Sequence, residues 1–134
     1  MERRKKGFTL IELMVVILIV SILAGVAIPL MHGRIDSAKW SEANAAAGTI
    51  RTAIRAYFAE KPTLAQALSG DMSDTGNQGV LGISTTDLQG TYFADTNYTI
   101  TSVDSAGRAV ITVSAGTGLS GSYVLDTAGG WTKQ

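Results

Sequence analysis

"RRKKGFTLIELMVVILIV", Arg3 to Val20, decides how the rest of the chain is read. Four bases run into a glycine, and the apolar run that follows contains a single charge, Glu12. Leu13 to Met31 then gives 19 residues without an acid, a lysine or an arginine. As a helix rising about 1.5 Å per residue, that stretch spans roughly 28 Å, enough to cross a hydrocarbon core. The bases at Arg3, Arg4, Lys5 and Lys6 place the N-terminus on the cytoplasmic side by the positive-inside rule. A carboxylate at the centre of a membrane helix costs roughly 2.5 to 3.5 kcal/mol on insertion scales, so Glu12 needs a physical reason to be there.

A cleaved secretory signal is the simplest rival, with Gly25-Val26-Ala27 as its cleavage site. The apolar run is too long for one, Glu12 stands near its start, and the helical pattern continues past Pro29. A cut after Gly7 accounts for more. It removes all four N-terminal bases and exposes a new amino group on Phe8, about one helical turn from Glu12. Ammonium and carboxylate then neutralise each other, within one chain or between neighbours. Between neighbours, a buried carboxylate seeking a cation sets axial register, as one buried polar residue does in a coiled coil.

"KKGFTLIELMVVILIVSILAGVAIP", residues 5 to 29, resembles the class III signal of type IV pilins and type II secretion pseudopilins. The resemblance implies cleavage between Gly7 and Phe8 by a membrane-embedded prepilin peptidase, with N-methylation of Phe8. It implies that Glu12 meets the N-terminus of a neighbouring subunit in a helical filament, a homo-oligomer raised by an inner-membrane platform and an assembly ATPase. Pro29 matches a proline these proteins carry in this helix. With Gly25 it points to a kink or a locally melted stretch, because proline removes an i→i−4 hydrogen bond. The expected setting is the bacterial inner membrane, N-terminus cytoplasmic and C-terminal domain periplasmic, and after assembly a periplasmic or extracellular filament.

Beyond the membrane segment, Gly33 to Glu60 reads as an amphipathic helix. Ile35, Ala43, Ala46, Ala47, Ile50, Ala53, Ile54, Tyr57 and Phe58 recur at spacings of three and four. Lys61-Pro62 ends it. "ANAAAG", Ala43 to Gly48, admits a closely packed neighbour. Trp40 reads as an interfacial anchor or a filament contact. Thr63 to Leu68 reads as a short helix and Ser69 to Gly82 as a loop. Tyr98–Val103, Ala109–Ala115 and Ser122–Asp126 read as strands of an antiparallel meander, with Trp131 either beginning a fourth short strand or capping the core edge. The expected fold class is therefore α+β and pilin-like, a long N-terminal helix with a small antiparallel sheet on its second half. The organisation is a leader at 1–7, a membrane or filament-core helix at 8–31, a spine helix at 32–61 and a globular head at 62–134.

Composition excludes several functions. There are 11 basic and 11 acidic residues, but four bases lie in the first six positions, so the remainder is acidic and offers no patch for nucleic acid. With no cysteine, neither a disulfide framework nor a thiolate metal site exists. The one histidine, His32, sits where the helix leaves the membrane, so no Ser/His/Asp set is available and enzymatic activity is not expected. No cofactor is expected either. Gly116 to Gly121 matches G-x-G-x-x-G but precedes a strand, where a dinucleotide site needs a helix. Asp71 and Asp74, with Asn77 and Asp87 nearby, are weak candidates for calcium. Asn97-Tyr98-Thr99 is a glycosylation sequon of little weight.

Three readings compete. A filament subunit explains Gly7-Phe8 and Glu12, and the lack of a cysteine to pin a C-terminal loop leans it toward a secretion pseudopilin. An electron-carrying variant rests only on Phe8, Trp40, Tyr57 and Phe58 along the helix. A non-polymerising single-pass membrane protein with a small periplasmic binding domain shares the topology but has no use for Gly7, Phe8 or Glu12.

Overall fold

The computed structural model describes residues 7 to 134. Helix α1 runs from Leu10 to Glu60, α2 from Pro62 to Gln66 and α3 from Thr75 to Leu81. The strands are β1 (Gly70–Asp71), β2 (Tyr98–Val103), β3 (Ala109–Ser114), β4 (Ser122–Leu125) and β5 (Trp131–Lys133). They form one antiparallel sheet in the order β1-β2-β3-β4-β5, a meander with each strand beside its sequence neighbour. The chain divides into two compact units, one ending at Ser37 and one from Ala38 to Gln134.

The second unit is built on one stripe of α1. Trp40, Ala43, Ala47, Ile50 and Ile54 are buried at alternating spacings of three and four, which keeps one helical face toward the sheet. Against them stand Tyr98, Ile100, Val103, Ala109, Ile111, Val113 and Leu125. Ala43 and Ala47 are wholly buried, so the small-residue run does hold the helix close to another element. In β3 the inward set is Ala109, Ile111 and Val113, the period-two alternation of a half-buried strand. Strand β2 departs from simple alternation. Its register shifts between Ile100 and Ser102, and this bulge turns Val103 inward where Ser102 would have pointed.

Two expectations are corrected here. Ser69 to Gly82 is not loop throughout, because it contains β1 and the seven-residue α3. Asp74 caps α3, its Oδ1 accepting the Gly76 N–H at 2.8 Å, and the helix stops at Gly82 in the left-handed conformation. Gly76 and Gly79 weaken helix propensity by about 1 kcal/mol each; the segment is held by buried Leu81 and by the Asn77 and Gln78 amides, which donate to the Asp71 and Met72 carbonyls. Trp40 is neither an interfacial anchor nor an exposed filament contact. It is 6% exposed, with its ring centroid 4.4 Å from that of Tyr123 and 5.1 Å from that of Phe93.

Candidate functional site

In the first unit the apolar side chains have nothing to pack against. Phe8 is 88% exposed, and the large apolar residues from Leu10 to Met31 are all exposed. A surface of this kind in water would be far outside what a soluble monomer displays. Helix α1 is also long and apolar enough to cross a membrane. Helical structure runs through Gly25 and Pro29 without a break, so no melted stretch is seen there. Pro29 has no N–H to give the Gly25 carbonyl, which leaves that carbonyl without its usual helical donor.

Glu12 occupies a defined local geometry. Its Oε2 accepts the Thr9 backbone N–H at 2.9 Å and the Thr9 hydroxyl at 2.8 Å. The Thr9 Oγ1 in turn accepts the Glu12 N–H at 3.3 Å. This is a reciprocal capping box at the start of α1, with Thr9 as N-cap and Glu12 at the third helical position. The sequence read Glu12 only as an assembly charge, although Thr9-x-x-Glu12 is the S/T-x-x-E signature of such a cap. One carboxylate oxygen is thus held by the chain itself. Among the described residues Oε1 accepts no hydrogen bond. Gly7 and Phe8 precede the helix as exposed chain without regular structure, and among the described residues no atom approaches within 4 Å of a side-chain position on Gly7. The leader bases Arg3 to Lys6 lie outside the described residues.

The other candidates are spent on structure. Asp71 accepts the Thr99 hydroxyl at 2.7 Å, Asp74 caps α3, and Asp87 Oδ2 accepts the Ser84 N–H at 2.8 Å. Asn77 gives its amide to the carbonyls of Ser69 and Asp71. Among the described residues no group of three or more His, Asp or Glu is arranged to hold a metal ion. Gly116 to Gly121 is a turn between β3 and β4, with no helix after it. Asn97 donates to the Ala115 carbonyl at 3.0 Å and accepts the Ala94 N–H at 2.9 Å, so the sequon amide is engaged in the fold.

Sequence reasoning missed the side chains that hold the head's long connection, β1 to β2. Glu42, on α1, accepts the N–H groups of Tyr92 and Phe93 at 3.0 and 3.2 Å. Gly90 passes so close that a β-carbon there would lie 2.0 Å from Glu42 Oε1. Asp95, buried, accepts from Gln78 and Gln89 at 3.3 Å each and from the Thr96 N–H at 2.9 Å. No sequence signal marks the Glu42 contacts, since their partners lie 50 and 51 residues away in the chain.

Residues 3–28 match the family model described as the prokaryotic N-terminal methylation motif. The chain is 41% identical over 61 residues to fimbrial protein EcpC of Eikenella corrodens, covering 46% of this chain and 40% of that protein. It is 34% identical over 83 residues to fimbrial protein EcpB of the same organism, covering 60% and 52%. With the type IV major pilin PilA of Myxococcus xanthus it shares 45% identity over 58 residues, covering 43% and 26%. The matches therefore span about half or less of each of these relatives. No solved structure matches the chain.

Proposed function

We propose that this chain is a type IV pilin-like structural subunit of a pilus-like filament, a reading supported by its match to the methylation motif and by the pilins and fimbrial proteins it resembles. The observation that carries the reading is the exposed apolar surface from Phe8 to Met31, headed by a carboxylate with one oxygen that accepts no hydrogen bond among the described residues. In the bilayer, lipid covers that surface. In a filament, the same surface of neighbouring subunits covers it, and Glu12 meets a cation.

Cleavage between Gly7 and Phe8 by a prepilin peptidase supplies that cation as the new Phe8 amine, and N-methylation leaves it cationic. The exposed Gly7-Phe8 junction supports access by the peptidase. An inner-membrane platform and an ATPase would lift subunits from a membrane state with cytoplasmic N-terminus and periplasmic head. The function is mechanical. The names of the relatives, fimbrial proteins and a major pilin, favour a pilus over a secretion pseudopilus.

Intact mass with N-terminal fragmentation, on protein from membranes and from sheared extracellular material, tests the reading. A chain beginning at Phe8 with one added methyl, found in the sheared fraction, is expected. A chain still beginning at Met1 in cells with an active prepilin peptidase would make the segment an ordinary anchor.

A further inference from the structure

A groove of about 810 Å³ runs along the head, beside the stripe that α1 buries in the core. One wall is small side chains of α1, including Ala45, Gly48 and Thr52. The other is Leu81 and Ile83, at and just beyond the end of α3. The groove and its two extensions are lined by three acids, Glu42, Asp87 and Glu60, and by no base. Glu42 and Asp87 each accept backbone N–H groups on one carboxylate oxygen. Lys61, with its ammonium 5.8 Å from the Tyr57 ring, stands only at the far end. From Pro62 to Gly107 the chain has five acids and no lysine or arginine.

The other side of the head is basic. Arg51 donates to the Thr127 carbonyl in the β4–β5 turn, which sets this side of α1 beside that hairpin. Arg55 follows one helical turn later and is exposed, as is Lys133 on the edge strand β5. Among the described residues none of these three bases is in an ion pair. The one acid there, Asp126, turns its Oδ1 to the Gly130 N–H. Groove and hairpin lie toward opposite edges of the sheet, since α3 is tied to β1 through Asn77 and β5 is the far strand.

We propose that the acid-lined groove receives the basic β4–β5 edge of a second copy of this chain. The inference rests on the filament reading. Two different patches meeting head to tail form a heterologous contact, which propagates where a self-complementary one would close into a dimer. The apolar walls bury Trp131 and its neighbours, while Glu42, Asp87 and Glu60 set register against Arg51, Arg55 and Lys133.

The chain's lack of cysteine gives a clean test. Full-length chain carrying Thr52→Cys in the groove and Thr132→Cys on β5 is assembled, sheared, oxidised and run without reductant. A ladder of trimers and longer species, absent from either single variant, is expected. Intact filaments giving only monomers, or dimers and nothing longer, overturn the contact and leave the filament reading standing. Absence of filaments from cells making the unaltered chain overturns both. In the same background Lys133→Glu is expected to cut ladder yield several-fold and Lys133→Arg to preserve it. Equal yields from the two overturn the charge pairing.

Discussion

At the scale of single residues, Glu12 joins an observed role to a proposed one. The carboxylate caps α1 through Thr9, and in the proposed filament it would also offer its charge to a partner. Glutamine keeps a capping box but has no charge, whereas alanine has neither. Glu12→Gln is therefore expected to insert normally and to lose filament yield nearly as fully as Glu12→Ala, read as the ratio of sheared to membrane-bound protein. Normal assembly by Glu12→Gln would assign the residue to capping alone. Glu42 is the second decisive residue. Removing its carboxylate strands the N–H groups of Tyr92 and Phe93, and hydrogen bonds to a charged group contribute about 1.5 to 3 kcal/mol. Glu42→Ala should lower the unfolding free energy of the head by about that amount, read from the shift of the midpoint at constant slope in a denaturant titration. Glu12 was legible because a lone charge in an apolar run stands out. Glu42 was not, because its partners lie 50 and 51 residues away.

Among the elements, the β4–β5 hairpin depends most on one side chain. It is short, and Arg51 ties its turn to α1 through the Thr127 carbonyl. Gly129 leaves room for the guanidinium, since a β-carbon there would lie 2.9 Å from an Arg51 terminal nitrogen. This link does without a disulfide what a cross-link does in other small domains, holding a terminal segment to the core. Arg51→Ala is expected to speed amide exchange in β4 and β5 while leaving β2 and β3 protected. Uniform acceleration across the sheet would contradict a local role. Strands β2 to β5 were legible because alternation and turn-rich breaks frame them. Helix α3 was hidden by its two glycines, and β1 by its two-residue length.

For the whole molecule, burial of Tyr98 links global stability to pH. Desolvation, with the nearby charge of Glu42, pushes its phenol from 10.0 up to about 12. A raised pKa means that the folded head holds this proton when the unfolded chain has released it. The stabilisation is complete below about pH 10 and lost as the pH rises toward about 12. Tyr98→Phe should flatten that alkaline decline relative to the unaltered chain, and an unchanged slope would mean that the phenol is not the group responsible. By itself, the sequence determined the membrane-length apolar helix, the lone carboxylate at its head and the order of the main strands. Those properties follow from local periodicity, charge placement and chain-neighbour pairing, all written within short windows. Only the tertiary structure decided that Trp40 belongs to the head's core, that Glu42 and Asp95 hold the long connection, and that acids and bases stand on opposite sides of the head. Each of those depends on how the chain packs, and for Trp40, Glu42 and the opposed charges no short window of sequence contains both partners.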